Sequence, residues 1–330
     1  MYLFRRIALF LVVIGFLAIL SACSGSSGSP PVLNYSGETK GVVIDAENAE
    51  ALLTGAYEGG QTATVLNIFG AVQVDAQPTG GTPRLLALAG TFDEFLSGLD
   101  LGQPVQYAGA IITDSETLPG SCGGEVYYDV SIDSIFGDFS GTADFREYCD
   151  KANPDLVLDG ITEFYGDYDL LTLEIDDFSF IFRGLTGITD AGSFTLDGSM
   201  NGNVSTTRAY VKANAVLTDN TTQKDYWLKD FEVTAVKGLS FLDLTVTGRY
   251  YDYDYGYVDV STEEPFRLYD SDDWPASGIL LLTGGKGSAG GSTMARLVVI
   301  DSSSYEVEAD TDGDGEFDDY YSGPLLWDDM

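Results

Sequence analysis

The chain has 330 residues, 16 basic and 52 acidic, and contains no histidine. Its net charge of −36 repels phosphate backbones, which excludes nucleic acid as a partner, and it attracts divalent cations. The missing histidine excludes Ser-His-Asp and Cys-His catalysis, histidine zinc ligands and c-type haem attachment.

At the N-terminus, Arg5 and Arg6 precede an uncharged apolar run from Ile7 to Leu20, which ends in Leu20-Ser21-Ala22-Cys23. A basic start followed by a short apolar run is an export signal, and it falls short of the ~20 residues of a membrane span. The last four residues resemble the lipobox cut by the bacterial lipoprotein signal peptidase. The resemblance implies that residues 1–22 are removed. It further implies that Cys23 becomes the N-terminus and carries diacylglycerol and an amide-linked, palmitate-type acyl chain. Several chains together anchor stably at a membrane, where one holds only marginally. Ser24 stands where an Asp would retain such a protein in the inner membrane, so the expected location is the outer membrane, with periplasmic and surface faces both open. Residues 23–33 form the lipidated Cys and a Gly/Ser/Pro tether with too little apolar surface to fold. Loss of Arg5 and Arg6 leaves 14 basic against 52 acidic residues, a net −38.

Residues 34–121 read as a mixed lead-in of helix and strand. Asp45 is the expected N-cap of a helix whose apolar residues Ala49, Leu52, Leu53 and Ala56 recur at helical spacing, with Gly59-Gly60 as the expected stop. Arg84 to Leu101 suits one or two short helices broken at Gly90, and Thr64 to Gln77 fits strand or helix equally.

Residues 122–330 change to a period of two. Leu171, Leu173 and Ile175 alternate with polar residues, as do Leu242, Leu244 and Val246, while Trp227, Phe231, Val233 and Ala235 are expected on one face. About a dozen strands fit, at the spacing of β-sandwiches and barrels. Asn201-Gly202 reads as a hairpin turn. Leu158-Asp159-Gly160 and Leu196-Asp197-Gly198 echo one another as strand-plus-glycine units, which chance could also produce. The fold class expected is mainly β, an antiparallel meander, sandwich or open barrel with one to three short helices in the N-terminal third.

Four motifs bear on chemistry. Cys122 and Cys149 remain after Cys23 takes lipid, and in an oxidising compartment they are expected to pair. Tyr250 to Tyr257 reads YYDYDYGY, an edge strand with a tyrosine stripe or, less readily, a sugar-stacking surface. Gly284 to Ser288 fails as a P-loop, because Leu280 stands where the first Gly belongs and Gly287 where Ser or Thr belongs; a loop between two strands is expected. Asp310 to Asp318 reads DTDGDGEFD and resembles the D-x-D-x-D-G calcium loop of EF-hands, dockerins and thrombospondin type 3 repeats. The resemblance assigns Asp310, Asp312, Asp314, Glu316 and Asp318 to loop positions 1, 3, 5, 7 and 9, with Gly315 at the sharp bend. Tyr321 stands where an EF-hand needs its bidentate Glu, and Asp319 is the nearest substitute.

Lipobox, helical lead-in, the stretch from Cys122 to Cys149, a long meander and a late calcium-type loop together resemble uncharacterised lipoproteins of Gram-negative bacteria. That resemblance implies no known activity. The expectation is a non-enzymatic envelope lipoprotein with a structural or binding role, stabilised by structural Ca2+ and held to the membrane by its lipid. The alternatives are a carboxylate-based enzyme on polysaccharide or peptidoglycan and an accessory subunit of an outer-membrane or surface assembly. No catalytic residue is assigned, and no protein or glycan partner is named by the sequence.

Overall fold

A computed structural model describes residues 30–64, 111–133, 137–150, 153–168, 175–189, 192–204, 207–269, 271–272, 274–327 and 330. The export signal, Cys23, most of the tether, the stretches 65–77 and 84–101, and Leu171 and Leu173 lie outside the described residues.

Among the described residues, one helix precedes fifteen strands. α1 is Ala49–Thr64; β1 is Ile111–Pro119, β2 Gly123–Asp133, β3 Asp138–Asp150, β4 Asn153–Tyr168, β5 Ile175–Thr189, β6 Gly192–Val204 and β7 Arg208–Asp219. β8 is Lys224–Lys237, β9 Phe241–Asp252, β10 Gly256–Tyr269, β11 Ser277–Lys286, β12 Ser292–Asp301, β13 Ser304–Asp310, β14 Tyr320–Tyr321 and β15 Leu325–Leu326. Each strand from β1 to β14 pairs antiparallel with its sequence neighbours, and β15 also pairs β13. The result is an open antiparallel meander that does not close into a barrel.

The expected helix start is present as a reciprocal cap. Asp45 Oδ1 accepts the amides of Glu47 and Asn48 at 2.9 and 3.0 Å, and Asn48 Oδ1 accepts the amide of Asp45 at 3.0 Å. Ala49, Leu52, Leu53, Ala56 and Tyr57 are buried, and α1 lies against the inner face of β7–β9 and β11–β13. Gly59-Gly60 does not stop the helix, which continues to Thr64. The reason is packing: a Cβ on Gly59 would come within 2.7 Å of Leu228, so glycine lets the helix approach β8.

Three strand readings need correction. Trp227 does not share a face with Phe231. A bulge at Lys229-Asp230, where Asp230 has φ 49°, shifts the register, so Trp227 faces out with Tyr251 while Leu228, Phe231 and Val233 face in. Asn201-Gly202 is no turn; both residues pair inside β6, and Gly202 makes room for the Phe178 ring, 2.5 Å from where its Cβ would stand. Tyr250 to Tyr257 is no edge strand but the β9–β10 hairpin, in the middle of the sheet.

The Leu-Asp-Gly echo is one structural device used twice. Leu158 and Leu196 are buried, and each following carboxylate binds the amide of a positive-φ residue at a bulge on the preceding strand. Asp159 accepts from Glu147 at 3.4 Å, and Asp197 accepts from Gly184 at 2.8 Å.

The meander puts alternate turns at opposite ends. One end holds the β7–β8, β9–β10 and β11–β12 turns and the loop after β13. It also holds the Cys122–Cys149 disulfide, with Cα atoms 5.2 Å apart, as the cysteine count led one to expect. Residues 35–42 run across this same end as a strap. The β10–β11 ladder stops at Asp259 and Thr283, which leaves a notch. Lys40–Val42 fill it. Tyr257 N–H donates to Lys40 O at 2.9 Å, Val42 N–H to Tyr257 O at 3.0 Å, and Gly285 N–H to Val42 O at 2.5 Å. The chain thus passes from the outer aromatic face at Tyr35 to the inner core at Ile44.

Candidate metal centre

β13 ends on Asp310, whose side chain is fully buried. The chain then wraps around that carboxylate. Asp310 Oδ1 accepts the amide of Gly313 at 2.6 Å and Oδ2 that of Gly315 at 2.8 Å. Gly313 and Gly315 have φ of 79° and 97°, a backbone region in which side chains are strained, so the two glycines permit the wrap. Asp312 Oδ1 holds the amide of Asp314 at 3.0 Å, and Asp314 Oδ1 that of Glu316 at 2.9 Å. Asp312 and Asp314 are therefore each set by the amide two residues on, and Asp310 by the amides three and five residues on.

The outcome is convergence. Asp310, Asp312 and Asp314 each present a carboxylate oxygen within 4.8 Å of the others, and this is the one such acidic group among the described residues. Partial desolvation first, and then the charges of Asp314, Asp319 and Asp310, push the Asp312 carboxyl up. Hard oxygen donors of this kind suit Ca2+ or Mg2+, and calcium takes six to eight oxygens, so carbonyls and water would complete its shell.

Glu316 and Asp318 do not join the group. In the resembled loop, position 7 acts through its backbone carbonyl and position 9 often through water. Asp319 instead turns back and accepts the Thr311 amide at 2.8 Å, the Thr311 hydroxyl at 3.0 Å and the Asp312 amide at 3.1 Å. The Thr311 bonds hold its carboxyl below the usual range. Tyr321, at the twelfth position, pairs with Glu308 across the β13–β14 ladder and donates to Glu306 at 2.8 Å, away from the loop. A strand follows this loop where an EF-hand has a helix, so no twelfth ligand is delivered.

What holds the loop is remote in sequence. The glycine-rich β11–β12 turn donates to it, Ala289 N–H to Asp312 O at 2.7 Å and Gly291 N–H to Gly313 O at 3.1 Å. Side chains at Gly287 or Gly291 would collide with those same carbonyls. Tyr320 donates to Glu50 of α1. Arg296 lies over the Phe317 ring at 4.3 Å and binds Glu308 at 2.5 Å. The hairpin in turn touches the strap: Thr293 Oγ1 accepts the Ile44 amide at 2.9 Å and donates to Gly285 O at 3.2 Å. The glycine density from Gly284 to Gly291 was the sequence signal for this junction, though it does not name the partners.

No described helix is long and apolar enough to cross a membrane. No family model, curated protein or solved structure matches the chain.

Proposed function

We propose that the chain is a non-enzymatic envelope lipoprotein, anchored through Cys23, whose β body has a structural or binding role and is stiffened by calcium. The observation that carries this reading is the convergence of Asp310, Asp312 and Asp314 at a loop bonded to the β11–β12 hairpin and to α1. Without a cation the three carboxylates repel, and a bound divalent ion removes that repulsion. The ion then ties together β13, the hairpin and the helix.

A site filled at a hundredfold excess of ligand over Kd stabilises by about 2.7 kcal/mol. For a body of this size that corresponds to a rise in Tm of about 5 °C. Millimolar calcium should produce the rise and chelator should reverse it. Magnesium should do less, since it dehydrates reluctantly. Asp312→Ala with Asp314→Ala should erase the response. If the double variant keeps it, general screening of the acidic surface is responsible and the site is refuted. For the anchor, Cys23→Ser should abolish acyl labelling and release the protein from membranes; an unmodified N-terminus in the wild type refutes lipidation.

A further inference from the structure

Trp227, Tyr251 and Tyr257 lie in register across β8, β9 and β10 on the outer face. Their rings form a shelf, with Trp227 stacked on Tyr251 at 4.6 Å and Tyr251 meeting Tyr257 at 5.3 Å. The strap crosses this shelf. The Tyr35 ring stands 5.8 Å from Trp227 and 5.5 Å from Tyr251, and its hydroxyl donates to Asp252 O at 2.8 Å. Burial, then the nearby carboxylates of Asp252 and Asp225, keep that hydroxyl protonated and donating.

Ser36 is gripped twice. Its amide, at 2.9 Å, and its hydroxyl, at 2.5 Å, both donate to Oδ2 of Asp225, while Thr218 donates to Oδ1 at 2.7 Å. Asp225 is buried, so this carboxylate exists to be bonded. Gly37 admits no side chain, because a Cβ there would stand 2.8 Å from the Tyr253 Cα. Glu38 N–H donates to Tyr253 O at 3.0 Å, and Lys40–Val42 then continue into the notch.

Each contact reads a different property of the strap: an aromatic ring, an amide beside a hydroxyl, the absence of a side chain, an extended backbone. Sheets recognise peptides in this way, with main-chain bonds supplying affinity and side-chain slots supplying choice. The strap can also leave without unzipping the meander, since no pairing between β1 and β15 runs through it. Its departure would leave Asp225 with Thr218 and bare the aromatic rings, so the shelf favours a replacement of the same kind.

We propose that this shelf is a binding site for an extended peptide carrying an aromatic residue, then Ser or Thr, then Gly, and that residues 35–42 occupy it in cis. A like segment in trans competes with the strap.

The test uses the full chain and a fluorescent peptide with the sequence of residues 33–42, followed by anisotropy. Tyr35→Ala with Ser36→Ala weakens the strap and should bind the peptide at least about tenfold more tightly than wild type, a difference of about 1.4 kcal/mol. Adding Asp225→Asn should reverse the gain, and a scrambled peptide should bind neither protein. A double variant that melts cooperatively yet binds no peptide at about 1 mM, the −4.1 kcal/mol level, overturns the proposal. If that variant does not fold, hydrogen exchange in wild type decides. Excess peptide should speed exchange at the amides of Ser36 and Glu38 and leave β2–β6 unchanged. Unchanged exchange at those two amides overturns it equally.

Discussion

The two ends of the sheet are built differently. At the far end, turns carry short-range bonds of their own, and the longer ties there are backbone-directed bonds from Trp327 to Ser303 O and Asp301 O and from Lys237 to Thr207 O. Asp301 accepts the Ser303 amide and hydroxyl, Gly238 N–H donates to Phe241 O, and Gly137 N–H donates to Asp133 O. At the strap end, turns are tied to distant segments. Cys122 is bonded to Cys149, Ser36 to Asp225, Ala289 to Asp312, and Tyr320 to Glu50. A long meander has mostly local contacts and two free ends to its strand order, so cross-ties at one end make the strands answer to one another. The strap end is therefore expected to carry the cooperativity of the fold, and substitutions there should cost far more than equivalent ones opposite.

The largest effect expected is from the disulfide. It closes a loop across a sequence separation of 27, and losing it in a Cys122→Ser, Cys149→Ser variant should cost about 3–4 kcal/mol by loop-closure entropy. Urea titration measures this. Leu239→Ser, at the fully exposed β8–β9 tip of the far end, is the matched control and should stay within about 0.5 kcal/mol. Comparable losses would mean the two ends do not differ.

Gly287→Ala comes next. The new methyl meets the backbone carbonyl of Asp312, which cannot give as a flexible side chain could. A loss of about 1–3 kcal/mol is expected, with weaker calcium binding, because hairpin and loop must part. A variant with wild-type stability and calcium response would uncouple the two.

Tyr320 gives the smallest effect and a pH signature. Its hydrogen bond to Glu50, then partial desolvation, then the Glu50 charge raise its hydroxyl from 10.0 to about 12. A group held protonated in the fold stabilises fully below its unfolded value. That contribution fades as pH rises from about 10 through about 12. Tyr320→Phe should cost about 0.5–1.5 kcal/mol at neutral pH and abolish this alkaline component of the stability profile. An unaltered profile between those values would show that the bond does not tie the loop to α1.

The contrast between ends also explains what could be read in advance. The start of α1 was legible because Asp45 and Asn48 cap each other within four residues. The Asp310, Asp312 and Asp314 group was legible because a tight loop brings nearby side chains together regardless of fold. Alternation at Leu242, Leu244 and Val246 gave their strand. The face of Trp227 was lost because one bulged residue reverses every side chain before it. The strap was invisible: Ser36 binds a carboxylate 189 positions away and Ile44 a hydroxyl 249 away. Glu316 and Asp318 carry carboxylates outside the convergent group, as loop positions that act through a backbone carbonyl and through water would, and β14 rather than a helix follows them. The YYDYDYGY run was recognised as unusual, but its role as a central hairpin bearing the shelf depends on a partner strand and a strap that the run does not contain.

The central claim is that cation binding at the acidic loop is felt by the strap end as a unit. Hydrogen exchange at the amides of Ala289 and Gly291, which donate to the loop carbonyls, tests it most directly. Saturating calcium should slow exchange at both amides and at Gly285, which donates into the strap, while Gly137 and Gly238 at the far end stay unchanged. Equal slowing at both ends, or none at Ala289 and Gly291, would contradict the account.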